Sequence, residues 1–356
     1  MKLSALPRVK LASCLPTPLQ ELRNFSRVMG GPRIFIKRDD LTGLALGGNK
    51  TRKLEYLMAD ALKAGSDYIV TGAGFQSNWC TQAAAAALKL GMKIVLIKEG
   101  PADGYDPIEY DGNHLLHFLE GAEIRVAHRD TFESIQFSVM EDLRAKGHTP
   151  FFLANTGSTP AGVAGYVNAM LEILQQSVEI GINIDYLIHA TGSGGTQAGL
   201  VIAAKALNSG ITIIASSTGS RPRKAQQNKV FGLIEESLAF LEVDITVRQD
   251  DVIVYDDYAG GGYGFITEAK AKAIRLLAET EAVFLDPVYS GSAMALLIGL
   301  CRQGFFKKDD VVVFLHTGGA AMTFAYRQPL RDFLSGRRPT WVIPPWSPEA
   351  HLERAE

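Results

Sequence analysis

Apolar runs that end in small polar residues recur along the chain, and stretches with helical spacing follow them. The first half contains RIFIK, DYIVTGAG, KIVLIKEG and EIRVAH, and the second half contains YLIHATGSGG, ITIIASSTGS and VVVFLHTGG. An apolar run bounded by turn residues predicts a buried strand, and strands that alternate with helices predict a parallel sheet. The pattern therefore predicts an α/β fold built from open, twisted, mostly parallel sheets with helices on their faces.

The spacing of these elements divides the chain into two predicted domains. A chain of 356 residues with 47% hydrophobic content suits two joined lobes better than one core. We predict a large domain formed by residues 1–47 and 163–340 and a small domain formed by residues 48–162. The tail, residues 341–356, contains proline and tryptophan without periodicity, and we expect it to cover a surface or a neighbouring subunit.

Composition and charge exclude several classes of protein. The chain carries 36 lysines and arginines against 38 aspartates and glutamates, and this formal net charge of −2 gives no basic surface for nucleic acid. No segment reaches about 18 uninterrupted apolar residues, so neither a membrane span nor a secretory leader is predicted. Cys14, Cys80 and Cys301 are too few and too far apart for a disulfide framework or a paired-cysteine zinc site. We therefore expect a cytoplasmic protein without a metal.

The segment GGNKTRKLEYL, residues 47–57, carries the first candidate for chemistry, because it presents Lys50 at the start of a helix after two flexible glycines. A lysine in a closed, partly dry site can lose its proton and form a Schiff base with an aldehyde. The alternative is a lysine on a solvated helix face. The spacing predicts that Arg52 and Lys53 lie on such a face, opposite the apolar positions Leu54, Leu57, Met58 and Leu62.

The loop TGSGGTQAG, residues 191–199, lies between a predicted strand and a predicted helix. The backbone N–H groups of such a loop converge on an anion together with the helix N-terminus. The loop lacks the third glycine of the dinucleotide fingerprint, since that position is Gln197, and it lacks the Walker lysine. It therefore predicts a site for a small phosphate ester, and an ordinary glycine-rich turn is the alternative.

Two further stretches place polar groups where a flat ligand could bind. QSNWCTQ, residues 76–82, offers a hydroxyl, an amide and a helix N-terminus in a single turn, which suits a carboxylate and an aromatic oxygen. Tyr263 and Tyr289 lie among glycines, where a ring can approach a ligand and a phenol can relay a proton. The alternatives are a plain helix N-cap for Ser77 and a structural role for both tyrosines.

The run IFIKRDDLTGLALGGNKTRKLEYL, with the other motifs in their order, resembles the D-cysteine desulfhydrase and 1-aminocyclopropane-1-carboxylate deaminase family, which also includes L-cysteate sulfo-lyase. The resemblance implies a two-domain, fold type II pyridoxal phosphate enzyme of the tryptophan synthase beta type that forms a homodimer. It implies that Lys50 carries the cofactor, that Asn78 supports the ring hydroxyl and that Thr317 faces the pyridine nitrogen. The implied phosphate cup consists of Gly192, Ser193, Gly194, Gly195 and Thr196.

The same resemblance implies the residues that act on the substrate. The implied catalytic residues are Lys50, Ser77, Tyr263 and Tyr289, and the implied substrate-binding residues are Ser77, Asn78, Trp79 and Gln82. Lys50 would yield the cofactor to the substrate amine and then remove the α-proton. Many relatives carry a histidine and an arginine where this chain has Trp79 and Thr81. The indole of Trp79 either closes the pocket over the β substituent or packs behind the helix as core.

Two positions favour one branch of the family. The cyclopropane deaminases place a glutamate after the DPVY tyrosine and a leucine before the last GG, whereas this chain has Ser290 and Thr317. We therefore predict α,β-elimination of D-cysteine or a similar amino acid to pyruvate, ammonium and sulfide. The first alternative is an L-cysteate sulfo-lyase that releases sulfite, in which Arg221 and Arg223 could meet the sulfonate. A cyclopropane deaminase, a protein that binds pyridoxal phosphate without turnover and a nicotinamide oxidoreductase are less favoured.

Overall fold

The computed structural model describes residues 2–219 and 221–337, and within them the chain forms ten strands and twelve α-helices. The strands are β1 (Leu19–Glu21), β2 (Arg33–Lys37), β3 (Tyr68–Ala73), β4 (Lys93–Gly100), β5 (Glu123–His128), β6 (Pro150–Phe152), β7 (Tyr186–Thr191), β8 (Thr212–Ser217), β9 (Ile253–Tyr255) and β10 (Val311–Leu315). The helices are α1 (Arg23–Met29), α2 (Lys50–Lys63), α3 (Asn78–Lys89), α4 (Gly112–Leu119), α5 (Phe132–Ala145), α6 (Pro160–Glu179), α7 (Gly195–Ala206), α8 (Arg223–Leu241), α9 (Glu268–Glu281), α10 (Ser290–Arg302), α11 (Ala320–Ala325) and α12 (Arg327–Leu334). The predicted tail at 341–356 lies outside the described residues.

The strands form two sheets, and the α/β prediction is confirmed. The larger sheet has the order β1-β2-β10-β7-β8-β9, in which β1 is antiparallel to β2 and all other neighbours are parallel. The smaller sheet has the order β5-β4-β3-β6 and is entirely parallel. The edge strands β1 and β9 have three residues each, too short a run for the apolar pattern to predict.

Helices cover both faces of each sheet, as buried parallel strands require. In the larger sheet, α6, α7 and α8 pack on one face and α1, α9 and α10 pack on the other. In the smaller sheet, α2 and α3 pack on one face and α5 packs on the other. None of the helices in the described part of the chain has the length and apolar character that crossing a membrane demands.

The two sheets follow the two predicted domains. All strands of the smaller sheet lie within residues 48–162, and all strands of the larger sheet lie within residues 1–47 and 163–340. Helix α6 begins at Pro160 and contacts α2 as well as α7 and α8, so the boundary after residue 162 falls inside its first turn. The division into domains therefore stays a prediction.

Helix α2 is buried on nearly all sides, and the predicted solvated position of its charges is wrong. Arg52 and Lys53 are at most 2% exposed, whereas Leu62 is 43% exposed. The helix lies between α3 and α6, and the guanidinium of Arg52 donates to the carboxylates of Asp39 and Glu172. Apolar spacing indicated one covered face, but it could not reveal that paired charges allow a second face to be buried.

Candidate active site

A cavity of about 1070 Å³ opens where β3, β7, β8 and β10 end. Open α/β sheets bind their ligands at the carboxyl ends of the strands, so this is the expected place for a site. The predicted residues that border this cavity are Lys50, Ser77, Asn78, Trp79, Gly192, Ser193, Gly194, Thr196, Tyr263, Tyr289 and Thr317. The fold thus brings residues from distant parts of the sequence to one volume.

Lys50 is the first residue of α2, and it borders the cavity. Its Nζ donates to the backbone oxygen of Thr156 at 3.2 Å. Burial, with the charge of Lys229 nearby, lowers the pKa of Lys50 to about 8. An amine with this pKa is neutral in an appreciable fraction of molecules near neutral pH. Lys50 can therefore act as a nucleophile or as a base.

The turn before Lys50 depends on glycine and on Gln82. Gly48 has φ +131°, and a Cβ at this position would lie 2.6 Å from Gln82 Nε2. Gln82 Oε1 accepts from the backbone N–H of Thr51 at 2.7 Å, and Gln82 Nε2 donates to the backbone oxygen of Asn78 at 3.4 Å. Gln82 was predicted to bind substrate, but it does not border the large cavity. Its amide holds the first turn of α2 in place.

The loop after β7 forms a concave surface at the N-terminus of α7. Gly194 lies there with φ +95°, a conformation that favours glycine. Ser158 Oγ accepts from the backbone N–H of Gly195 at 3.2 Å and donates to Ser193 Oγ at 2.7 Å. Thr196 Oγ1 accepts from Asn49 Nδ2 at 3.0 Å. N–H groups at a helix N-terminus attract anions, so this surface suits a phosphate.

Lys53 brings a buried amino group to this loop, and neither Lys53 nor Ser158 was predicted to be there. Lys53 Nζ donates to Ser158 Oγ at 3.2 Å and would lie 2.8 Å from a Cβ on Gly195. Burial, together with the charges of Lys50 and Lys229, holds the pKa of Lys53 well below its ordinary value. No carboxylate in residues 2–219 and 221–337 forms an ion pair with it. The one available signal was its position, one helical turn after Lys50.

Ser77 and Asn78 open α3 at the wall of the cavity. Ser77 Oγ accepts from the backbone N–H of Cys80 at 3.2 Å, the N-cap contact that the sequence offered as an alternative. Asn78 Oδ1 accepts from Asn113 Nδ2 at 2.7 Å, and Asn78 Nδ2 lies 3.5 Å from the sulfur of Met322. Both residues thus combine a structural contact with a position on the cavity.

Trp79 has mainly core contacts, although it also borders the cavity. The residue is 2% exposed, and its Nε1 donates to Thr71 Oγ1 at 2.9 Å. Its ring lies so close to Gly157 that a Cβ there would be 2.6 Å away. Because its polar atom and its ring both contact protein, the core alternative describes Trp79 better than a closing role does.

Tyr263 and Tyr289 contact each other, with their hydroxyl oxygens 2.5 Å apart. Burial raises the pKa of both, so both stay protonated near neutral pH. Tyr289 is fixed by Asp286, whose carboxylate accepts from the backbone N–H of Tyr289 at 2.7 Å. Thr317 lies two residues after the end of β10 and borders the same cavity. A pair of phenols that keep their protons can donate one to a leaving group.

Comparison with known proteins agrees with this geometry. A family described as pyridoxal-phosphate dependent enzyme matches residues 12–318. The D-cysteine desulfhydrase of Salmonella typhi is 39% identical over 327 residues, which cover 91% of this chain and 97% of that protein. This chain belongs to the pyridoxal phosphate-dependent enzymes. A Pyrococcus furiosus protein, provisionally described as a 1-aminocyclopropane-1-carboxylate deaminase, is also 39% identical to this enzyme, over 335 residues that cover 93% of it and 98% of the relative.

Solved structures give the same family and fold. A crystal structure described as an ACC deaminase homologue matches this pyridoxal phosphate enzyme with a TM-score of 0.83 and 39% identity, covering 93% of this chain and 97% of that one. Threonine deaminase isoform 2 from Solanum lycopersicum matches with a TM-score of 0.63 and 17% identity, over 94% of this chain and 86% of that one. The second match supports the fold alone. The predicted family, fold class and cofactor are confirmed.

The residues around the cavity fit pyridoxal phosphate. A bound phosphate would stabilise the protonated form of Lys53, whose pKa is held low where no carboxylate pairs with it, while the N–H groups at the start of α7 would donate to the phosphate oxygens. The amino group of Lys50 would hold the aldehyde carbon. The roles of Asn78 and Thr317 toward the ring stay predictions.

Proposed function

We propose that this pyridoxal phosphate enzyme catalyses α,β-elimination of a small amino acid with a sulfur leaving group, of which D-cysteine is the first candidate. The products are pyruvate, ammonium and sulfide. The observation that carries the proposal is the environment of Ser290, because the cyclopropane deaminases have a glutamate at the matching position. The hydroxyl of Ser290 donates to Asp286 Oδ1 at 2.6 Å, and the residue is 1% exposed. Position 290 therefore offers no acid for opening a cyclopropane ring.

The binding groups lie on three sides of the proposed reaction centre. Pyridoxal phosphate, when bound, supplies an aldehyde for the substrate amine and a ring that withdraws electrons from the α-carbon. Lys53 and the N-terminus of α7 would hold the phosphate, and Asn78, on the cavity wall, would donate to the ring oxygen. Ser77 and the N–H groups that begin α3 hold the substrate carboxylate.

The proton transfers are assigned to Lys50 and the tyrosine pair. Lys50 takes the proton from the α-carbon, and its pKa of about 8 leaves part of the amine free for this task near neutral pH. Tyr263 and Tyr289 hold protons that one of them can give to the departing sulfur. The neutral hydroxyl of Thr317 places no charge beside the ring nitrogen. Elimination tolerates this, since the leaving group takes the electrons.

L-Cysteate is the second candidate substrate, and Arg221 favours it. Arg221 borders the cavity and could meet a sulfonate. Arg223, the other arginine that the sequence offered, donates to Asp256 and Asp257 instead. Elimination from L-cysteate would release sulfite in place of sulfide.

A substrate panel tests the proposed function. Purified enzyme is given D-cysteine, L-cysteine, L-cysteate and 1-aminocyclopropane-1-carboxylate, and pyruvate, a four-carbon 2-oxo acid, sulfide and sulfite are each measured. We expect pyruvate and sulfide from D-cysteine, and no product from the variant Lys50→Ala. A four-carbon 2-oxo acid from the cyclopropane as the main activity would overturn the proposal, and so would the absence of any product from all four.

We further propose that the enzyme is a homodimer and that it acts in the cytoplasm. Both proposals extend the family resemblance and the composition of the chain. Sedimentation velocity of the holoenzyme tests the first, with a single monomeric species as the contradicting result. Cell fractionation tests the second, and recovery of the enzyme outside the cytoplasmic fraction would contradict it.

A further inference from the structure

The amide of Asn78 can face a ligand with its N–H group or with its carbonyl oxygen, and hydrogen bonds behind α3 decide which. We propose that His117, Thr81 and Asn113 form a chain of directed hydrogen bonds that makes Asn78 a donor toward the ring oxygen of the cofactor. The inference rests on the position of the cofactor ring beside Asn78 in the proposed function. None of the three residues borders the large cavity, so all three are positioning residues.

The direction of the Asn113 side chain follows from a backbone oxygen. Asn113 Nδ2 lies 3.3 Å from the backbone oxygen of Gln76, an atom that can only accept. The same Nδ2 donates to Asn78 Oδ1 at 2.7 Å, and Asn113 Oδ1 faces Thr81 Oγ1 at 2.9 Å. The reverse orientation would bring two oxygens together at Gln76. Asn113 therefore gives its N–H group to Asn78 and its oxygen to Thr81.

The direction of the remaining links follows from proton counting. Thr81 has one hydroxyl proton, and it donates this proton to Asn113 Oδ1. Thr81 Oγ1 must then accept from His117 Nε2, which lies 2.9 Å away. His117 Nε2 also lies 3.3 Å from the backbone oxygen of Ser77, which again requires a proton on Nε2. Burial and the charge of Lys98 hold the pKa of His117 well below its ordinary value, so the ring is neutral.

The chain of donors thus runs from His117 through Thr81 and Asn113 to Asn78. Since Asn78 Oδ1 is occupied by Asn113, Asn78 presents Nδ2, whose neighbour at 3.5 Å is the weakly accepting sulfur of Met322 on the cavity wall. An N–H donor stabilises an oxygen with negative charge, whereas a carbonyl oxygen in its place would repel it. The matching ligand chemistry is an anionic aromatic oxygen.

Three variants of the holoenzyme test this inference. In Asn113→Asp the side chain can no longer donate, so Asn78 must turn and face the cavity with its oxygen. Thr81→Val removes the hydroxyl that donates to Asn113 and replaces it with a methyl group of similar size, whereas Thr81→Ser retains the hydroxyl. The readouts are the visible absorption spectrum of the bound cofactor and the dissociation constant of pyridoxal phosphate. Ser237→Ala removes the buried hydroxyl that donates to the backbone oxygen of Leu233 and is the matched control for stability.

We expect Asn113→Asp to weaken cofactor binding by at least about tenfold and to shift the visible maximum, because a charged oxygen loses a donor. Thr81→Val should weaken cofactor binding and shift the visible maximum in the same direction, but less than Asn113→Asp does. Thr81→Ser and Ser237→Ala should leave the dissociation constant and the spectrum unchanged. Folded Asn113→Asp and Thr81→Val proteins with the wild-type spectrum and dissociation constant would overturn the inference.

Two further measurements separate the possible failures. Asn78→Ala should change the spectrum; if it does and the variants behind α3 do not, the hydrogen-bond chain is wrong while the proposed site stands. If Asn78→Ala also leaves the spectrum unchanged, then the cofactor ring does not lie beside Asn78, and both the proposed placement and the hydrogen-bond chain are wrong. Nitrogen-15 NMR of the His117 ring reads the tautomer directly in the wild-type holoenzyme. A proton on Nε2 supports the inference, and a proton on Nδ1 alone overturns it.

Discussion

Lys50 and Lys53 lie one turn apart on α2, yet their contacts differ. Lys50 Nζ faces the cavity and contacts the backbone oxygen of Thr156, whereas Lys53 Nζ is enclosed behind Ser158 at the phosphate loop. Burial lowers the pKa of both amines, and the nearby charge of Lys229 acts on both. We therefore expect Lys50, which borders the cavity, to be the amine that reacts with an aldehyde.

We expect Lys229→Gln to raise the pKa of Lys50, because the variant removes a neighbouring positive charge. Only the neutral amine attacks an aldehyde, so in the wild-type protein the rate of cofactor attachment should rise as the pH rises through about 8. In Lys229→Gln the midpoint should move to higher pH. Stopped-flow absorbance of cofactor-free enzyme mixed with pyridoxal phosphate measures it. Lys224→Gln, an exposed position on α8, is the control. An unmoved midpoint would contradict the assigned cause.

His189 is expected to make the fold sensitive to acid. It is fully buried on β7 and donates from Nδ1 to the backbone oxygen of Ala190 at 2.9 Å, and burial lowers its pKa to about 4. The unfolded chain binds this proton near pH 6.5, so the unfolded state is favoured as the pH falls from there toward 4. The loss should reach about 3 kcal/mol, since each unit of pKa shift is worth about 1.4 kcal/mol.

The measurement is urea unfolding of the wild type and His189→Asn between pH 4 and 7. The free energy of unfolding of His189→Asn should depend less on pH across this window than that of the wild type, and Ser237→Ala, which removes a buried hydroxyl that does not titrate, should keep the wild-type slope. Equal slopes for the wild type and His189→Asn would contradict the assignment.

At the scale of single elements, the turn between Asp286 and α10 carries Tyr289, one of the two tyrosines for which a proton-transfer role is proposed. The carboxylate of Asp286 accepts from the backbone N–H groups of Val288, Tyr289 and Ser290 at 2.9, 2.7 and 2.8 Å. Asp286→Ala leaves these donors unpaired and should cost about 2–4 kcal/mol. Turnover should fall as well, because Tyr289 loses its support.

Asp286→Asn keeps one acceptor oxygen, so its stability and its turnover should lie between those of the wild type and those of Asp286→Ala. Chemical denaturation gives the stability, and pyruvate release gives kcat and KM. A stability loss in Asp286→Ala without any fall in kcat would show that the turn does not position Tyr289.

The sequence predicted strands and helix starts where local signals were strong. Apolar runs located β2, β3, β4, β5, β7, β8 and β10, and glycine followed by Lys50 located the start of α2. It did not predict the phosphate-loop contact of Lys53, because that contact depends on Ser158 and on the packing of α2 against α6. It also left open whether Trp79 is core or lid, since only the surrounding Thr71 and Gly157 decide between them.

At the scale of the whole molecule, a buried ionic network joins the two sheets. Arg52 on α2 donates to Asp39, which follows β2, and to Glu172 on α6, while the hydroxyl of Tyr166 donates to Asp39 at 2.6 Å. The alternating pattern could predict two parallel sheets, but it could not predict this junction. The bonded partners are up to 127 residues apart, and charged residue types alone are typical of a protein surface.

Arg52→Ala is expected to destabilise the enzyme by about 3–5 kcal/mol, since it removes the buried cation that pairs with Asp39 and leaves Glu172 with Lys37 alone. Arg125→Ala breaks an exposed pair with Glu123 and should cost less than about 1 kcal/mol. Thermal and urea unfolding of both variants beside the wild type provide the comparison. Similar losses of unfolding free energy in the two variants would show that the buried network contributes no more to stability than an exposed ion pair does.

The most direct test of the account is the site of covalent attachment of the cofactor. The holoenzyme is reduced with borohydride, digested and mapped by mass spectrometry, together with Lys50→Ala and Lys53→Gln. We predict that the wild-type label lies on Lys50, that Lys50→Ala carries none, and that Lys53→Gln is labelled on Lys50 but binds pyridoxal phosphate more weakly. A label on Lys53, or on any residue other than Lys50, would contradict the account.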